Sequence, residues 1–145
     1  MSFFTAAVLS GCFAALSSVF AKLFTDERTA AYVNVVAHYY SQYDWFAPKD
    51  ISMPLFIVRA TCFILVFACN SLMWTLFTKA LNKAPSSIQV TIVNGAANLA
   101  TSAILGHVVF QEPLSLRWWA GASLMLTGTI LISRGQAKDT KDKKE

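Results

Sequence analysis

IQVTIVNGAANLATSAILGHVVF, residues 88–110, contains no Asp, Glu, Lys or Arg. At 1.5 Å per residue it makes a helix of about 34 Å, longer than the roughly 30 Å hydrocarbon core of a bilayer. A soluble core helix of this length would show a charged face, and this one has none. It is not apolar all round, however. Asn94, Asn98 and Ser102 recur every fourth residue and share one helix face, with Thr91, Gly95, Thr101 and Gly106 on or near it. An amide turned to lipid costs several kcal/mol unless bonded. The stripe is therefore expected to face other helices or a wet cavity.

The rest of the chain has the composition to supply those helices. Its 145 residues are 55% hydrophobic and only 14% charged, too apolar for a soluble domain of this size. Three further uncharged runs occupy residues 3–21, 60–78 and 118–133, and Arg117 and Arg134 can snorkel to lengthen the last. The expected fold is an all-α membrane protein with four transmembrane helices in one domain, residues 1–134. A charged tail without regular structure, residues 135–145, is expected to follow. The first run could imitate a signal peptide cleaved at Val19-Phe20-Ala21, but it lacks a positive n-region and its apolar run is long, so it is read as a span. The net charge of +4 does not indicate nucleic acid, because five of the twelve basic residues lie in the last twelve positions. Cys12, Cys62 and Cys69 all fall within spans, where they are read as small packing residues; no metal and no cofactor is expected.

Taken in order, the first span carries Ala7, Gly11, Ala14, Ala15 and Ser18 at three- and four-residue spacing, a pattern that lets helices approach closely, with Gly11 at its centre. Ser17, Ser18 and Lys22 are weaker candidates to line a site. Thr25-Asp26-Glu27 can cap a helix. Beyond it Tyr32, Val35, Val36, Tyr39 and Tyr43 form an apolar stripe, with Asn34, His38 and Ser41 turned away. This is an amphipathic interfacial helix between the first and second spans, its aromatic belt continued by Trp45 and Phe46. Span two begins before Arg59 and runs to about Leu81, with Asn70 near its middle and Trp74 one turn on. A mid-membrane Asn bonds a neighbouring helix or faces a ligand. Pro85 breaks the chain before span three, whose His107 sits near headgroup depth. Gln111-Glu112-Pro113 makes the next turn, Trp118 and Trp119 mark an interface, and Gly121 and Gly128, seven apart, form a close-approach face on span four. With four spans, Lys79, Lys83, Arg134 and the C-terminal lysines share one side; Lys22, Arg28, Lys49, Arg59 and Arg117 share the other. The positive-inside rule then puts both termini in the cytoplasm.

Asn70-Ser71-Leu72-Met73-Trp74-Thr75, Leu105-Gly106 through Gln111-Glu112, and Trp118-Trp119-Ala120-Gly121 with Leu126-Thr127-Gly128 resemble the transmembrane protein 42 family. These small proteins are similar to single EamA-type units of the drug/metabolite transporter superfamily. The resemblance covers residues 2–21 and 57–134 and implies an all-helical membrane protein related to solute carriers. In that superfamily a Gly-Glu pair commonly ends the third span; here Gln111 stands before Glu112. The first span also lacks the acidic residue that small multidrug transporters use.

The function expected is a small transporter-like protein working as a homodimer, moving or binding a polar metabolite or lipid headgroup near the bilayer midplane. Asn70, Trp74, Asn94 and Asn98 are the candidate substrate contacts, and Gly11, Gly121 and Gly128 the packing residues. The alternative is a non-transporting subunit of another membrane protein. No HExxH, GxSxG, paired intramembrane acids or Gly-rich phosphate loop points to an enzyme. The chain ends Lys141-Asp142-Lys143-Lys144-Glu145, lysines at the third and fifth positions from the end, similar to the dilysine signals by which coat proteins retrieve membrane proteins to the endoplasmic reticulum. Serine at both Lys141 and Lys143 is expected to release the protein to the Golgi or cell surface, read by fluorescence microscopy; wild-type protein resident in the plasma membrane would refute the signal.

Overall fold

The computed structural model describes residues 2–41, 52–111, 113 and 115–142, and their side chains except those of 37, 40, 41, 52, 53 and 132–142. Five helices lie among these residues: α1 Phe3–Thr25, α2 Glu27–Ser41, α3 Ser52–Lys83, α4 Ser87–Phe110 and α5 Leu116–Asp142. The aromatic belt expected at Tyr43, Trp45 and Phe46, and also Glu112 and Lys143, fall outside the described residues.

Local chemistry sets the helix ends. The Ser2 hydroxyl accepts from the Thr5 amide at 3.2 Å and opens α1. Asp26 closes α1 through its amide and opens α2 through its carboxylate, which accepts from the Arg28 amide at 2.9 Å. Pro54 sits in the first turn of α3, where a missing N–H costs little. Gln111 ends α4 in the left-handed conformation, with φ at 52° and its amide donating to the Gly106 carbonyl, a position glycine usually takes.

Among the described residues three helices are long and apolar enough to cross a membrane: Phe3–Thr25, Pro54–Lys83 within α3, and Ser87–Phe110. Their outward faces carry Phe4, Phe56, Phe63, Ile64 and Phe67, all exposed. So much apolar surface on one small chain belongs in lipid. The apolar run at 118–133 forms the first part of α5. One expectation needs correction: residues 135–142 continue α5 as helix and do not form an unstructured tail. Propagating an existing helix costs far less than starting one, and Gln136, Ala137 and Lys138 are good helix formers.

The helices are arranged around α1. It packs along most of its length against α3 on one side and α4 on the other, while α3 and α4 touch little. They meet near their shared turn, where Ala6, Ala7, Ala80 and Val90 form a buried cluster with Phe3, Phe77 and Leu81 against it. α5 rests lightly on α4, and α2 lightly on α1 and α3.

Small side chains on α1 make this possible. Ala6, Ala7, Ser10, Gly11, Ala15 and Ser17 are all buried. At Gly11 a Cβ would collide with the Asn94 carbonyl oxygen and lie 2.8 Å from both Ala97 Cβ and the Asn98 amide nitrogen. Two of those obstacles are backbone atoms, so the helices themselves would have to part. At Gly106, by contrast, a Cβ would meet no described atom within 4 Å. Gly11→Ala is therefore expected to cost about 1–3 kcal/mol, the usual penalty of overpacking. Gly106→Ala should be neutral or gain up to about 1 kcal/mol from helix propensity. Thermal unfolding of the two variants in detergent compares them directly.

Candidate functional site

The polar residues that the sequence singles out fall on two sides of α1. On the α3 side, the Ser10 hydroxyl donates to the Met73 carbonyl at 3.0 Å, and the Ser17 hydroxyl lies 3.4 Å from the Val66 carbonyl. Asn70 joins this seam: its amide donates to the Ser17 hydroxyl at 2.6 Å and to the Val66 carbonyl at 2.9 Å. One amide hydrogen thus ties α3 to α1, and the other is spent within α3 itself. Trp74 is 62% exposed on the outer surface, edge-on to Phe77 with ring centroids 6.2 Å apart. It forms no wall of a common site with Asn94 or Asn98.

On the α4 side, Asn98 accepts from the Ser102 hydroxyl at 3.2 Å, and Cys12 and Thr101 share a hydrogen bond of 3.4 Å across to α1. Asn94 differs from these. Its side-chain oxygen is buried and has no hydrogen-bond partner among the described residues. The residue also lines a cavity of about 360 Å³ between α4 and α5, together with Thr91, Gly95 and Thr129. A second cavity, of about 640 Å³, continues along the same helix pair and shares Ala96, Leu99 and Leu126 with the first. It is lined by Ala100, Ala103 and His107 on α4 and by Trp118, Trp119 and Ala122 on α5. The two share the cleft of one helix pair and are both largely apolar, with Thr91, Asn94 and Thr129 the polar residues of the smaller. Cavities of this size, largely apolar with a few polar groups, are the usual form of small-molecule sites.

Most of the remaining hydroxyls need no such partner. Thr61, Ser71, Thr75, Thr78, Thr91, Ser123 and Thr129 each donate to the carbonyl four residues earlier in their own helix. This back-bonding satisfies a hydroxyl on a lipid-facing surface. Thr91 therefore borders the cleft without being compelled to face it.

Where α1 and α4 end, cations gather on Phe110. The Lys22 ammonium lies 4.3 Å from the ring centroid, and the Arg28 guanidinium donates to the Phe110 carbonyl at 2.9 Å. Positive charge at a helix C-terminus is favourable, so Arg28 locks α2 onto the end of α4. The sequence placed Lys22 at this interface but offered no sign that Phe110 would meet both cations. At Gly121 and Gly128, the expected packing residues of α5, a Cβ would meet no described atom within 4 Å, so neither approaches another described element.

Comparison with known proteins adds a partial likeness. Over 60 residues the chain is 38% identical to an uncharacterized protein, y4nH, of Sinorhizobium fredii. That match covers 41% of this chain and 50% of the relative, so the chain spans about half the length of the protein it matches. No family model matches the chain, and no solved structure does.

The two-sided arrangement separates the asparagines by role. Asn70→Leu is expected to lower stability by about 0.6 kcal/mol and by no more than roughly 1.7, the range for interhelical bonds in membranes. Trp74→Leu should leave stability within about 0.5 kcal/mol of wild type, as surface changes do. Melting curves in one detergent, read side by side, check both values.

Proposed function

We propose that this chain is a small multi-pass membrane protein of transporter type, with α5 as a fourth crossing, that binds or moves a small polar metabolite or lipid headgroup in the α4/α5 cleft. One observation carries the reading: the Asn94 side-chain oxygen is buried and unpartnered among the described residues, beside a cavity bounded by Thr91 and Thr129. An unmet buried acceptor costs about 1–3 kcal/mol. A ligand donor that reaches this oxygen would relieve that cost. Asn98 lines neither cavity and accepts from Ser102, while Asn70 and Trp74 belong to helix packing and to the outer surface. The resemblance to the transmembrane protein 42 family and to EamA-type units points the same way, as does the charge count that puts both termini in the cytoplasm.

A single four-helix layer encloses a cleft on few sides, and a homodimer through Gly121 and Gly128 would complete it. The openness of that glycine face also favours a second reading, in which the chain is a non-transporting subunit docked on another membrane protein. Reconstitution in liposomes with a panel of labelled solutes, combined with crosslinking, tests these readings together. Asn94→Leu should abolish uptake with wild-type abundance and melting temperature. Gly128→Leu should shift dimer to monomer and abolish uptake with it. A wild type that crosslinks only to other proteins and moves no solute would select the subunit reading.

A further inference from the structure

We infer that the apolar part of the α4/α5 cleft holds one hydrocarbon chain of a bilayer lipid, entering sideways from the leaflet at the C-terminal end of α4. The inference rests on the reading of this cleft as the ligand site and names the class of ligand: an amphiphile whose tail is bound by this pair of helices.

The length of the cleft matches such a tail. The larger cavity runs along α4 from Ala96, near the middle of the helix, to Val108, near its end. Those twelve steps span about 18 Å, close to the roughly 15 Å of one leaflet's hydrocarbon. The cavity is thus one acyl chain deep, from midplane to interface. Its lining matches as well. On α4 the small side chains of Ala96, Ala100 and Ala103 share the wall with the larger Leu99, Ile104 and Val108. Ala122 and Leu126 stand opposite on α5. Small residues at such spacing normally draw two helices together. Here they leave a space of about 640 Å³, and the wall contains no Asp, Glu, Lys or Arg. Water filling it would find few partners, whereas a hydrocarbon chain needs none.

The ends of the cleft fit an amphiphile. His107, Trp118 and Trp119 close it at headgroup depth, with the two indoles edge-to-face at 5.2 Å between centroids. At the other end it opens into the smaller cavity beside Asn94. A tail in the larger cavity therefore sits between two polar levels, either of which can take a headgroup.

The test uses the full chain in lipid nanodiscs with a phosphatidylcholine bearing a diazirine at the end of one acyl chain. After photolysis, mass spectrometry locates the adducts. The expected result is labelling of residues 96–100 and Leu126, at the deep end of the cleft. Ala100→Trp, which fills the cleft, should lower that labelling about tenfold, equivalent to 1.4 kcal/mol of binding. Ile64→Trp, on the outer face of α3, should leave it unchanged. If Ala100→Trp fails to fold by circular dichroism, Ala103→Leu fills less space and should give a smaller loss in the same direction. Labelling spread evenly over Phe63, Ile64 and Phe67 would mean bulk lipid only and would overturn the inference. So would wild-type labelling of the folded Ala100→Trp variant, or an inter-copy disulfide from Ala100→Cys, which would put a second chain in the cleft. Loss of uptake plays no part in this readout: cleft labelling with unaltered transport by Asn94→Leu would sink the proposed transport role and leave the lipid site standing.

Discussion

Where Gly11 crosses α4, the two helices meet backbone to backbone. The Asn94 carbonyl and the Asn98 amide nitrogen occupy the space that a side chain at position 11 would need. In a bilayer no hydrophobic gain drives such contact, since lipid tails are as apolar as the helices; close packing and hydrogen bonds must supply the attraction. Close packing in turn requires small side chains, and α1 provides them on two faces at once. The same helix receives α3 through Ser10 and Ser17. This dual use makes α1 the middle of the layer, with α3 and α4 meeting chiefly at their turn.

That arrangement decides which polar groups can act on a ligand. With α1 between them, Asn70 and Asn94 cannot converge on one small molecule, although their depths are similar. Asn70 spends its donors on Ser17 and on its own helix. Asn94 meets α1 with its backbone carbonyl and borders the cleft, and its side-chain acceptor is unmet among the described residues. The bonded amide of Asn70 and the unbonded oxygen of Asn94 thus lie on different sides of α1, and Arg59 Nε on α3 is likewise buried without a partner among the described residues.

The ends of the layer follow from charge. Arg28 and Lys22 both engage Phe110, one through its carbonyl and one over its ring, so the α1–α2 corner is tied to the end of α4. Among the described residues no comparable tie holds α5, whose glycines face open space. The lightly packed α5 thus forms one wall of the cleft.

Sequence alone determined that the chain is helical and made for a membrane. Uncharged runs long enough to cross hydrocarbon leave little choice, and every backbone group must be paired within its own segment. The closeness of α1 to a neighbour was legible too, in the spacing of Gly11 with Ala7 and Ala15, because three- and four-residue periods place side chains on one face. The partner was not legible: a small-residue stripe says that something approaches, and only the tertiary structure says that it is the backbone of α4. The hydroxyls misled for a related reason. Ser102 and Thr91 read as a stripe demanding a polar neighbour, yet a hydroxyl can bond within its own helix, to the carbonyl or side chain four residues back, an option the amide of Asn70 uses with only one of its hydrogens. The cleft itself depended on how far α5 stands from α4, a distance set by packing between segments remote in sequence, which no period within either helix encodes.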